Sequence, residues 1–195
     1  MYTPAAFRLS DPALITWVLC EHAFANLCVG TATGLEATHL PLVYDEARQV
    51  LMGHLARNNP VLRALADGHE ALAIFSGPHA YISPCWYGQP DVPTWNYVAV
   101  HVRGRARMLA GDEAAEAMAR ITGVFDDAKR VLGNLSEARL AGMQRGIGIF
   151  ELAMTQVEAK AKLSQDRSAE DRARIAEALR QCGDLTLAGW MEMVV

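Results

Sequence analysis

The chain has 195 residues, just over half of them hydrophobic, and a formal net charge of −4. That length fits one domain, or one domain with a helical extension, and the apolar content suffices for a proper core. The acidic balance argues against broad, nonspecific DNA binding, which draws on excess Lys and Arg, and no apolar run approaches a membrane span.

The opening "MYTPAAFRLSDP" lacks the basic start and apolar core of a signal peptide, which points to a cytoplasmic protein. Ser10-Asp11-Pro12 then reads as a helix start, with Leu14, Ile15, Val18 and Leu19 on the apolar face. "FANLCVG" reads as a buried strand. "THLPLVYD" and "QVLMGHL" read as two more, joined by the turn "DEARQ". "NNPVLRALADG" is a short helix ending at Gly68. "EALAIFSG" and "AYIS" are expected as separate strands around a turn at Gly77-Pro78.

"TWNYVAVHVRGRARML" is the longest strand candidate. It puts Val98, Val100, Val102, Ala106 and Met108 on one face and His101, Arg103, Arg105 and Arg107 on the other. "DEAAEAMARITGVFDD" is an amphipathic helix with acids in its first turn, and a second short helix starts at Ser136. "GIGIFELAMTQVEAK" is a final strand, and "SAEDRARIAEALRQCG" a helix capped by Ser168 and ended at Gly183. Strands do not alternate regularly with helices. A small antiparallel barrel of six or so strands with helices outside therefore fits better than a doubly wound parallel sheet.

Cys20, Cys28, Cys85 and Cys182 form no CxxC and are expected as reduced thiols; Cys20-x-His22 is too small a set for a metal site. In "GHLARNNPVLRAL" a strand ends, and Asn59-Pro60 opens a helix. The first amides of a helix attract anions, with Arg57 and His54 beside them; the alternative is a well-capped surface helix. Pro41 makes "EATHLPLVY" an edge or bulged strand, whose free backbone groups can read the polar rim of a flat heterocycle. The arginine row can meet an acidic partner or nucleic acid, or simply be a solvated face. Between Phe75 and Val100, Tyr81, Trp86, Tyr87, Trp95 and Tyr97 crowd a stretch where a plain loop would be small and polar. They either cover a core or wall a site. No catalytic triad order, dinucleotide turn, phosphate loop or helix-turn-helix is visible.

"MYTPAAFRLSDP", "THLPL", "GHLARNNP", "FSGPHAYISPCWY", "VPTWNY", "VHVRGRARML" and "KLSQD" follow one another in an order that resembles the PaiB-type family. Its members are described as FMN-binding negative transcriptional regulators of the FMN-binding split-barrel superfamily. The resemblance runs from Met1 to about Leu179. It implies a mainly β fold with helices (α+β): a six-stranded antiparallel split β-barrel, flanked by helices and closed by a C-terminal helix. A barrel domain over 1–160 and a helical extension over 161–195, packed on the barrel or the dimer, are expected. The resemblance further implies a homodimer with two flavin sites at its interface. Ala37, Thr38, His39 and Leu40 would border the flavin ring through their backbone. His54, Leu55, Ala56, Arg57 and Asn58 would lie at the phosphate. Trp86 or Trp95 would contact the flavin, and Asn96 would donate to a ring carbonyl or to the neighbouring loop. Lys160 and Lys162 match basic positions that approach the site from the partner or hold the last helix, and Gln165 follows them as a further donor. Cys85 and Asp166 stand where the family pattern has Ser and Asn, and Ala159 and Ala161 where it has a Gly and an aromatic.

The function so implied is that of a transcriptional regulator holding FMN; if the chain touches DNA, the row from Arg103 to Arg107 is the candidate surface. Two alternatives stand beside it. One is a flavin-dependent oxidoreductase, with His39, His54 and His79 as candidate proton donors. The other is a flavin- or haem-binding module without turnover.

Overall fold

The structure is a computed structural model that describes residues 1–194, apart from the side chains of residues 137 and 141. Helix α1 spans Pro12–Glu21, after a short turn of 3-10 helix at Ala5–Phe7. Strands β1 (Phe24–Thr31), β2 (Gly34–Pro41), β3 (Val43–Asp45) and β4 (Val50–Ala56) lead to α2 (Pro60–Ala66). Strands β5 (Glu70–Ile82) and β6 (Thr94–Leu109) flank a 3-10 turn at Pro84–Trp86. Then come α3 (Gly111–Phe125), α4 (Ala128–Gly133), α5 (Glu137–Gly146), β7 (Ile147–Lys162), α6 (Ala169–Gln181) and α7 (Leu185–Met193). The strands form one seven-stranded antiparallel sheet in the order β2-β1-β5-β6-β7-β4-β3, one strand more than expected. Among the described residues no helix is long and apolar enough to cross a membrane.

The additional strand comes from a break at Leu42. "THLPLVYD" reads as one strand, but pairing stops at Pro41 and resumes at Val43. Proline has no N–H for a ladder, and the next residue turns its N–H to the Ala23 carbonyl at 2.8 Å instead. The opposite correction applies to β5, which runs unbroken through Gly77-Pro78. Strand β1 pairs only with Ala71–Ile74 of β5, so Pro78 lies beyond that ladder, where its missing N–H costs no bond to β1. Gly77 admits the close approach of β6: a Cβ there would lie 3.1 Å from the Val98 carbonyl oxygen.

The chain divides into two compact units, and each long strand β5, β6 and β7 contributes a stretch to both. The first unit comprises Met1–Val18, Ser76–Val100 and Glu158–Val195. Its core gathers around Trp190, which is fully buried and meets Trp17 with ring centroids 5.4 Å apart, beside Ile175, Leu179 and Leu187 from α6 and α7. Sequence periodicity does not reveal α7, because "LTLAGWMEM" has little polar face to set a period. Asp184 caps it by accepting from Leu187 N at 3.0 Å. The amino-terminal arm joins β7 through Leu9 N to Ala159 O at 3.1 Å.

The second unit comprises Leu19–Phe75 and His101–Val157. The amphipathic face of α3 puts Ala117 and Ile121 on Val43, Val50, Met52 and Ile149. Each large side chain so buried contributes about 1.5–3 kcal/mol. Helix α4, unforeseen in the sequence, is capped by Asp127, which accepts from Arg130 N at 3.0 Å. Gly104 marks the tightest strand approach in this unit: a Cβ there would lie 2.3 Å from the Ala153 carbonyl oxygen and 2.9 Å from Leu152 Cγ. Gly104→Ala is therefore expected to destabilise the fold by about 1–3 kcal/mol, read as a lowered urea midpoint. An unchanged midpoint would contradict the close approach.

Candidate functional site

Two stretches expected to hold a ligand lie together in the second unit. Strand β2 ends the strand order, so among the described residues its outer edge is hydrogen-bonded to no further strand. Its register sets Ala37 opposite Cys28, Thr38 opposite Leu27, His39 opposite Asn26 and Leu40 opposite Ala25. Ala37 and His39 are exposed, Thr38 is half-buried and Leu40 is buried. The His39 ring stacks on Phe24, with centroids 6.3 Å apart and planes 27° from parallel.

Strand β4 comes close because residue 53 is glycine. A Cβ at Gly53 would meet Leu42 Cδ2 at 2.8 Å and Leu40 Cδ1 at 3.2 Å. Beyond β4, Asn59 caps α2 by accepting from Val61 N at 2.9 Å, and its Nδ2 reaches Thr38 Oγ1 at 3.5 Å. The turn after β4 is thereby fastened to β2. Within it Leu55 is buried, while Ala56 and Asn58 are exposed.

His54 carries the one unmet demand in this group. Its Nδ1 is buried with no hydrogen-bond partner among the described residues. Burial holds its pKa below the ordinary imidazole value, so the ring is neutral around pH 7. Arg57 is placed differently from a free phosphate ligand. Its Nε donates to the Arg145 carbonyl at 2.9 Å, and its Nη2 donates to the carbonyls of Ile147 at 2.7 Å and Gln144 at 3.4 Å. The guanidinium thus closes the end of α5, where unpaired carbonyls favour a cation.

The remaining expected residues belong to the first unit. Asn96 is fully buried and exchanges hydrogen bonds with Ser164, Nδ2 donating at 3.0 Å and Oδ1 accepting at 3.2 Å. Gln165 folds back on its own turn, accepting from Leu163 N at 2.7 Å and donating to Ala161 O at 2.6 Å. The turn needs this brace because Ser164 sits at φ +62°. Lys160 is buried, donates to Tyr2 O at 3.3 Å and lies 5.2 Å from the Tyr97 ring centroid. Lys162 donates to Thr94 Oγ1 at 2.5 Å and Trp95 O at 2.9 Å, and burial lowers its pKa.

The aromatic stretch divides by exposure. Tyr87 is buried, with the Arg167 guanidinium 5.3 Å from its ring centroid, and Trp86 is half-buried. Trp95 and Tyr81 remain 54% and 47% exposed and meet edge to face at 6.1 Å, with the exposed His79 6.4 Å from Trp95. These three rings make a continuous aromatic surface.

The arginine row is not free charge. Arg103 faces Glu70 at 3.8 Å, and Arg105 donates to the Gly68 carbonyl at 2.5 Å. Arg107 holds Glu113 at 2.8 Å and the buried Glu151 at 2.9 Å, and Glu151 is also held by Arg48 at 2.5 Å. Glu151 is barely legible in the sequence. Its only signal is a carboxylate inside the apolar run "GIGIFELAM", opposite Met52 in the register.

Residues 1–156 match the family described as "Putative FMN-binding domain". The chain is 34% identical over 185 residues to "Protease synthase and sporulation protein PAI 2" of Bacillus subtilis (strain 168), covering 92% of this chain and 89% of that protein. Among solved structures it resembles an FAD- and haem-binding protein from Mycobacterium smegmatis, with TM-score 0.67 and 16% identity over 85% of this chain and 78% of the other. The flavocytochrome Anf3 from Azotobacter vinelandii gives TM-score 0.67 and 13% identity over 86% of this chain and 75% of the other. At these identities the two structures speak for the fold alone, and they agree with the expected class.

Two outcomes follow from the second unit's geometry. Asn59→Ala should cost about 1 kcal/mol of stability through the lost cap, measured by chemical unfolding. The unfolded chain protonates His54 first, near the ordinary value of about 6.5. Stability is therefore intact above that pH and falls as pH drops from there toward the lower folded-state value. His54→Gln should flatten this part of the stability–pH curve; an unchanged slope would remove His54 as its cause.

Proposed function

Because the chain belongs to the FMN-binding family that its residues 1–156 match, we propose that it binds FMN along β2 and the β4–α2 turn, as a homodimer acting in transcriptional control. One observation carries the flavin reading: the fastening of Asn59 to Thr38 beside the close pair Leu40 and Gly53, which sets the two ligand stretches side by side. The residues present fit the group. The open edge of β2 offers backbone donors and acceptors to a ring's polar rim. Thr38 and Asn58 add polar side chains, and the buried Nδ1 of His54 has a hydrogen-bond site to fill. FMN would bring redox-active chemistry; the chain's own task is to hold it.

The exposed rings of Trp95, Tyr81 and His79 support the dimer reading, since a contiguous aromatic surface marks a contact face more often than a solvent face. Transcriptional control rests on the family resemblance. Direct reading of DNA by the arginine row is disfavoured, because its arginines are engaged by Glu70, the Gly68 carbonyl, Glu113 and Glu151.

Titration of FMN with flavin fluorescence as the readout should show saturable quenching at one flavin per chain. Ala37→Glu, which sets a carboxylate on the exposed edge of β2, should weaken it about tenfold or more. No saturation by a folded protein would overturn the flavin reading. In sedimentation, Tyr81→Asp with Trp95→Asp should convert a dimer into monomers; an unaltered dimer would place the interface elsewhere. Any specific DNA binding found by mobility shift should survive Arg103→Glu with Arg105→Glu, and its loss would restore the row as the reading surface.

A further inference from the structure

We propose that the cavity bounded by α2, the β6–α3 turn and the α5–β7 turn is a second ligand site, built for a medium-chain carboxylate. It lies wholly in the second unit and has a volume of about 590 Å³. Sites for small organic molecules span roughly 300–1,000 Å³. Leu62, Met108, Ile147 and Ile149 wall it with apolar surface, and none of the lining residues is acidic.

Its polar rim carries two arginines, Arg57 and Arg63. Arg57 is fixed by its bonds to the carbonyls closing α5, so it contributes a stationary positive charge. Arg63 is the contrasting case. It is exposed, and among the described residues its guanidinium has no ion pair or side-chain hydrogen bond. Arg63 thus brings an unpaired guanidinium to the residues that line an apolar cavity.

The pairing selects the ligand. One free guanidinium presents two parallel N–H groups that match the two oxygens of a carboxylate. The apolar walls require an apolar body, since an inorganic anion would leave them wet. A straight tail ending in one carboxylate satisfies both. The cavity shares Arg57 with the stretch proposed for flavin and none of that site's other residues, so it stands apart from the FMN reading.

Calorimetric titration of decanoate into the full chain, with and without saturating FMN, tests this. One decanoate per chain with equal affinity in both titrations is expected. Arg63→Ala should weaken binding about tenfold or more, the effect of losing a charge-assisted pair, with no change in melting temperature because the residue is exposed. Decanol should bind about tenfold more weakly than decanoate, for the same reason. Ala114→Phe, which fills the cavity, should abolish decanoate binding and leave flavin binding intact. Absence of saturable binding, or equal binding by Arg63→Ala, overturns the proposal. Displacement of decanoate by FMN overturns it too, by making the cavity part of the flavin site.

Discussion

The candidate ligand face of the second unit depends on a missing side chain. Gly53 lies in β4 where Leu40 and Leu42 press from β2 and its continuation, so close that a single methyl would meet Leu42 Cδ2 at 2.8 Å. With a hydrogen there, the two segments pack directly. Asn59 can then reach Thr38 while capping α2. Sterics bring the segments together, and the hydrogen bond adds a contact from β2 to the start of α2. A neutral His54 beside them follows from the same close packing, because burial disfavours its charged form.

Charge is organised with equal economy. Glu151 and Asp45 are buried carboxylates in an acidic chain, and each is matched by arginine: Glu151 by Arg48 and Arg107, Asp45 by Arg120 at 2.6 Å. Leaving either acid unpaired would be costly, so the arginines opposite them are committed to structure. A row that looks basic along one strand is, in three dimensions, engaged by two exposed acids, one backbone carbonyl and the buried Glu151. This is why a period-2 charge pattern alone is poor grounds for assigning a nucleic-acid surface.

The sequence was most legible where one residue type has one main structural use. Asn59-Pro60 opened a helix, Ser168 capped one, Gly68 and Gly183 ended two, and the valines of β6 lay on the buried face. It was least legible where partners lie far apart in the chain. Nothing local says that Arg57 will close α5, that Asn96 will turn to Ser164, or that Glu151 will be held by Arg48. The two prolines show the same limit. Pro41 broke a strand and Pro78 did not, because only the neighbouring ladder decides whether a missing N–H matters. Of the candidate site, the β2 and β4 segments could be picked out by motif, while the side-chain commitments that determine what remains free for a ligand could not.

The open edge of β2 has a consequence beyond recognition. A row of unpaired backbone groups is a template, and it does not distinguish a heterocycle from a foreign strand. Leu35 at 88% and Phe24 at 67% exposure add apolar surface beside that edge. Whatever covers it therefore also acts as a guard against self-association. Protein kept concentrated with the edge bare would be the preparation most prone to stack strand on strand.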